Sequence, residues 1–224
     1  MREHAQAGMS LYGSAGSRKY LNAAERRRFA KAALRTPLEV QLFCIVLSLT
    51  GGRISEILAV TPAAIDIDSG VVNIVTLKRR KRGMVRQVRL PRSVIGKLDH
   101  TFHLRRRQHD PDSASRRIWK WSRTTAWRRV KEVMAAAHVT GTPAMPKGLR
   151  HGFGVNAFQS LVPPHLVQRW LGHASLRTTS IYADVIGPEE RAFATRMWAN
   201  IFTDRTLPLR RCSRHRPPAI SGRA

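Results

Sequence analysis

The run PLEVQLFCIVLSL at positions 37–49 most constrains what this chain can fold into. Its apolar residues fall on nearly every face of the helix that its length implies, so it cannot lie on a surface. A chain that carries such a segment must cover it. Thr36 and Pro37 give the helix a start, because proline suits the first turn, and Gly51-Gly52 give it an end. The run is therefore expected at the centre of the core.

Residues 1–19 are rich in Gly, Ser and Ala and suggest a flexible lead. Asn22 and Glu25 have the spacing of a capping box and predict a helix through ERRRFAKAAL. After Gly52, Arg53 opens another helical turn, ISEIL. The period then changes: VVNIVTL (71–77) and MVRQVRL (84–90) are β-rich runs joined by KRRKRG, a hairpin with a basic tip. Pro91 ends the second strand and begins a helix to about Gln108, and HDPDSAS reads as a loop. Further helices are expected at 123–138, 149–160, 163–171, about 175–183 and 188–202. In the last of these, Phe193, Met197 and Ile201 form an apolar stripe. The tail from Arg205 holds six arginines and no acidic residue, and is expected to lack a fold of its own. The fold class is α+β, mainly helical, with one small antiparallel sheet.

Charge narrows the partner. Forty Lys and Arg stand against 14 Asp and Glu, a formal net charge of +26 on 224 residues. Such a field opposes folding by self-repulsion and favours a polyanion. Nucleic acid leads, and an anionic membrane surface is the rival. No stretch of about twenty apolar residues offers a spanning helix, and the N-terminus lacks the apolar segment of a secretory signal. Cys44 and Cys212 give neither metal spacing nor a disulfide framework, and without a Walker A loop, clustered acidic ligands or a cysteine-histidine site no metal or cofactor is expected. Cys44 reads as a small core residue.

Five basic or imidazole side chains and one tyrosine then stand in a fixed order: Arg53 in TGGRISEIL, Lys78 in VTLKRRKRG, Lys147 and Arg150 in PKGLRHGFG, His173 in WLGHASLRTTSIY, and Tyr182 nine positions on. This order, and the long string LGHxSxxTTxxYA, resemble the tyrosine recombinase (phage integrase) family from about Tyr20 to about Ile201. The resemblance implies the DNA breaking-rejoining catalytic-domain fold over 20–202. It also implies Arg53, Lys78, Lys147, Arg150, His173 and Tyr182 as catalytic residues, with Tyr182 the nucleophile. Arg79, Arg80, Lys81, Arg82, Arg86 and Arg177 are candidate DNA contacts, and 203–224 a basic tail. The implied partner is double-stranded DNA, with self-association into a tetrameric synapse, no membrane, and a cytoplasmic, nucleoid-associated location.

The chemistry suits these residue types. A free phenol has a pKa of about 10, so nearby positive charge or a base must activate it. Arginine stays charged and binds two oxygens with a planar fork, so Arg53 and Arg150 are the expected pair for the non-bridging phosphate oxygens. Lys78, crowded by arginines, is the expected general acid for the leaving 5′-oxygen. The resemblance implies a 3′-phosphotyrosyl link that stores the energy of the broken bond. Glu56 is expected to buttress the site rather than react, and His151 to support the site from behind or to pack beside it.

Two departures stand out. Lys147 occupies a place where most members carry histidine, and its expected role is an oxyanion contact or a proton relay. Only 52 residues precede Arg53, which leads us to expect a single-domain member without the N-terminal core-binding arm. A minimal inverting enzyme and a mobile-element remnant both fit. Competing readings are a type IB topoisomerase with nearly the same site, a helix-turn-helix binder built on PHLVQRWLGHASLRTTSIYA, and a catalytically dead DNA-binding relic.

Overall fold

The computed structural model describes residues 10–13, 15–77, 83–185 and 188–199. The basic tip with Lys78, Arg79, Arg80, Lys81 and Arg82, the tail from Arg205, the Phe193 side chain and Ile201 lie outside the described residues. The chain divides into two units, one through Val185 and one from Ile186.

In the first unit, α1 (Ala23–Ala33) begins at Asn22, whose side chain accepts from Glu25 N while Glu25 accepts from Asn22 N. The central run forms α2 (Leu38–Thr50), with Leu42, Phe43, Cys44, Val46 and Leu47 all buried. It packs against α1, α4 and α8. Gly51 ends it at φ 59°, a left-handed backbone, and a Cβ there would also stand 2.6 Å from Phe153. The short α3 (Ile54–Leu58) follows, then a single 3-10 turn at Pro62–Ala64.

Three antiparallel strands come next, β1 (Ile65–Asp66), β2 (Val71–Val75) and β3 (Val85–Arg89), in that spatial order. β2 and β3 form the expected hairpin, each shorter than its apolar run, and β1 is too short for any alternation to betray it. Val72, Ile74, Arg86 and Val88 occupy the buried face of the hairpin.

The helix expected from Pro91 to Gln108 is two, α4 (Arg92–Phe102) and α5 (Leu104–Gln108). His103, at φ 52°, turns the chain between them; Asp99 Oδ1 accepts from Arg105 N, and Gln108 Nε2 ties α5 to the Pro62 and Ile65 carbonyls. The loop expected at HDPDSAS contains α6 (Pro111–Ser115), capped by Asp110 with Pro111 in its first turn.

α7 (Arg123–Ala136) is capped by Ser122. α8 (Pro146–Gln159) starts at Pro146, one turn earlier than expected, so Lys147 and Arg150 share its first turns. α9 (Pro164–Leu171) stops at Gly172 (φ 64°), and α10 is a single turn, Arg177–Ser180. A main core surrounds α2, and a second cluster joins Val155, Val167, Leu171, Tyr182, Leu11 and Tyr20. Residues 10–19, expected as a flexible lead, are held to the fold over their described part. Leu11 is buried, Lys19 N donates to Leu11 O, and Tyr12 bridges to Arg18.

The second unit contains α11 (Pro188–Ala199), where Met197 and Trp198 are exposed. Among the described residues no helix is long and apolar enough to cross a membrane.

Candidate active site

The site begins where α2 ends. Gly51 and Gly52 reverse the chain and leave Arg53 at the N-terminus of α3. Glu56, one turn on, accepts from Arg53 N at 2.9 Å and from Arg53 Nη1 at 2.8 Å, which fixes that side chain. Glu56 is itself buried, and its Oε2 accepts from Arg86 Nη2 at 2.5 Å. Burial alone would raise the Glu56 carboxyl; Arg86, then Arg53, hold it below the ordinary range.

Arg86 therefore does not sit where a DNA contact would be. It is only 4% exposed, and it donates from Nε to Trp170 O at 2.8 Å and from Nη1 to Thr76 Oγ1 at 3.2 Å. The reason lies in the pleat: β3 buries Arg86 and Val88 and exposes Val85, Gln87 and Arg89. Arg86 braces Glu56, which braces Arg53.

Arg150 is buried on α8. Nη1 donates to Gly51 O at 2.8 Å and Nη2 to Leu171 O at 2.6 Å, so the ends of α2 and α9 orient the guanidinium between them. Burial, then the charge of Arg53, lowers it to about 10, which leaves it a cation at neutral pH. Lys147 is exposed one turn before it.

His173 follows the left-handed Gly172, and its Nδ1 lies 2.9 Å from Thr179 Oγ1. Burial, with Arg150 and Arg53 adding to it, pushes its imidazole down to about 3, so the ring is neutral. Tyr182 lies in the turn after α10 with its ring stacked on His173, centroids 6.2 Å apart and planes at 15°. The Tyr182 side chain is covered (0% exposed), and Gly154 of α8 lies directly under its ring. Burial raises the phenol to about 12 against the opposing pull of Arg150 and Arg53.

Arg53, Lys147, Arg150, His173 and Tyr182 all line one cleft of about 680 Å³. Its walls also hold His151, Arg123, Trp127, Leu77 and Met145. His151, expected to support the site from behind or to pack beside it, has Nδ1 only 3.3 Å from the Tyr182 hydroxyl. Arg123 and Trp127 belong to no motif in the sequence, although RTTAW puts both near the start of one helix. Lys78 lies outside the described residues, while Arg177 is exposed at the start of α10. Chemically the cleft offers two oriented guanidiniums, an exposed ammonium and neutral imidazoles around a phenol. It is suited to an anion with two free oxygens that the phenol attacks.

The phage integrase family model matches residues 19–186. Tyrosine recombinase XerA of Pyrococcus furiosus is 28% identical over 172 residues, 75% of this chain and 57% of that protein. Tyrosine recombinase XerD of Pseudomonas aeruginosa is 31% identical over 157 residues, 67% of this chain and 49% of its own length. The chain spans about half the length of these curated relatives. The crystal structure of XerA recombinase superposes with a TM-score of 0.65 at 23% identity, covering 80% of this chain and 64% of that one. XerH bound to its difH substrate before cleavage superposes with a TM-score of 0.63 at 20% identity, covering 80% and 54%. These two likenesses show that the fold is that of the recombinase structures.

Proposed function

This chain belongs to the phage integrase family, and from that premise we propose that it carries the catalytic unit of a site-specific DNA recombinase. It cleaves and rejoins duplex DNA through a 3′-phosphotyrosyl intermediate. The observation that carries this reading is the shared cleft of Tyr182, Arg53, Arg150 and His173, each side chain oriented by its own partner.

Arg53 and Arg150 hold the non-bridging oxygens of the scissile phosphate. Tyr182 Oη attacks phosphorus, the bond to O5′ breaks, and the O5′ leaves with a proton from Lys78 or Lys147. The two arginines neutralise charge that grows in the transition state, and their fixed orientation spares reorganisation at that moment. The tyrosyl ester keeps the energy of the broken diester, so a 5′-hydroxyl of either duplex reverses the step. The scissile phosphate reaches the phenol oxygen through the cleft that Tyr182 lines, because the rest of that side chain is covered.

The related XerH was captured on its difH substrate, and we carry duplex DNA over to this chain as its partner. Exchange between two duplexes calls for four sites, hence self-association into a tetrameric synapse, with α11 as the element for that contact. Its exposed Met197 and Trp198 suit such a role. This activity belongs on chromosomal DNA in the cytoplasm.

The test is incubation with duplex DNA bearing the flanking repeats of the native locus, followed by denaturing electrophoresis. The expected result is a covalent protein–DNA adduct and exchanged strands. Nicking and resealing without exchange would favour a topoisomerase-like activity, and binding with no adduct would reject the enzyme.

A further inference from the structure

Among the described residues, the Tyr182 hydroxyl has one side-chain hydrogen-bond partner, Nδ1 of His151 at 3.3 Å. The two rings are tilted at 55° with centroids 6.0 Å apart, so His151 meets the phenol at its oxygen. The other nearby groups are differently disposed. His173 lies face to face with the tyrosine ring and directs Nδ1 to Thr179 Oγ1. A lysine ammonium at 147 offers donors and no acceptor. His151 follows Arg150 on α8, four residues after Lys147, so the same helix turn that orients the phosphate-binding guanidinium also delivers this imidazole.

We propose that His151 is the base that accepts the Tyr182 proton, a role that rests on the recombinase reading above. The Nε2–H tautomer leaves a lone pair on Nδ1 toward the phenol. As Oη bonds to phosphorus and the P–O5′ bond breaks, the phenolic proton passes to His151 Nδ1. The O5′ takes a proton from a lysine ammonium, which becomes an amine. On rejoining, the amine recovers its proton from the attacking 5′-hydroxyl, and the imidazolium returns its proton to the departing tyrosine. No other reactant is consumed.

The surroundings tie this base to the substrate. Burial, then Lys147 and Arg150 of α8 and Lys19 from the segment before α1, pushes the imidazole down to about 4 in the free protein. His173 and Tyr182 face it from beyond α9, and both are neutral there. His151 is therefore unprotonated at neutral pH but weakly basic. A phosphate held by Arg150 offsets the cationic part of that shift, from Lys147 and Arg150, and leaves the larger part, burial, in place.

The experiment measures single-turnover cleavage of a substrate whose 5′-bridging oxygen is sulfur, which removes any need for a general acid. Wild type is expected to be flat from about pH 7 to 9, because the base is neutral throughout. His151→Phe should bind DNA like wild type, cleave about 10²–10³-fold more slowly, and gain about tenfold in rate per pH unit as hydroxide replaces the lost base. His151→Gln, which keeps a hydrogen-bonding group without basicity, should show the same slope. A flat profile for either variant at near wild-type rate would overturn the proposal. Recovery of the flat profile by Gln alone would also overturn it, because the role would then be positional. The two variants differ in shape, so if one fails to fold the other carries the test. Adduct formation by Tyr182→Phe would defeat the underlying reading instead.

Discussion

Gly154 lies beneath the ring of Tyr182, and a Cβ added there would stand 2.6 Å from Tyr182 Cε1. No ordinary side-chain contact is so short, so only glycine permits the tyrosine to sit where it meets both His151 and His173. Gly154→Ala should cost about 1–3 kcal/mol by overpacking and reduce cleavage by about a hundredfold through misplacement of the nucleophile. DNA affinity should be preserved. Unfolding curves and adduct yields check this, and a variant that cleaves faster than wild type would identify the buried position as a stowed one.

Glu56 and Arg86 form a buried pair at 2.5 Å that also holds Arg53. Removal of either partner leaves an uncompensated buried charge, so Glu56→Ala or Arg86→Ala should lose about 3–5 kcal/mol. A double Glu56→Leu, Arg86→Met variant should lose less stability than either alanine variant, yet still cleave poorly because Arg53 has lost its brace. The pH dependence has a definite sign. Glu56 titrates below the ordinary range when folded, so its contribution is complete above its unfolded value of about 4.3 and is lost as pH falls through the lower folded value. Denaturant titrations along a pH series should show this loss in wild type and its absence in the double variant.

The positions of these partners mark what was legible in the sequence. The central helix, the Asn22 cap and the hairpin follow from local patterns, the ordered set Arg53, Lys147, Arg150, His173, Tyr182 follows from the family resemblance, and the fold collects that set into one cleft. Arg86 was readable too: alternation in VRQVR puts it on the face of Val88, but counting its charge with the basic tip hid that. Asp110-Pro111 carried a helix-start signature inside a segment dominated by turn formers. The contacts of Tyr182 with His151 and Gly154 were not legible. They join residues 31 and 28 apart in sequence, and only the packing of α8 against the turn after α10 creates them.

Salt should govern binding. With a net charge of +26, log affinity for duplex DNA should fall linearly with log salt, at about −0.9 per phosphate neutralised. Neutralising Arg79, Arg80, Lys81 and Arg82 together should lower that slope, as read by titration at several ionic strengths. An unchanged slope would remove the hairpin tip from the interface.

Lys78 and Lys147 are separable as proton donors. Lys78→Ala should slow cleavage of ordinary DNA by about 10²–10⁴-fold and regain its rate on a 5′-sulfur substrate. Lys147→Ala should be impaired on both substrates if it only contacts the oxyanion. Rescue of Lys147→Ala alone would move the general acid to position 147.

The central claim is that Tyr182 attacks the scissile phosphate. Tyr182→Phe removes one oxygen and keeps the ring that fills the space over Gly154, so folding and DNA binding should be unchanged. The direct measurement is covalent adduct formation on a nicked substrate, resolved on a denaturing gel, with wild type and variant side by side. Wild type should form an adduct and Tyr182→Phe none, and an adduct formed by the phenylalanine variant would rule out Tyr182 as the nucleophile.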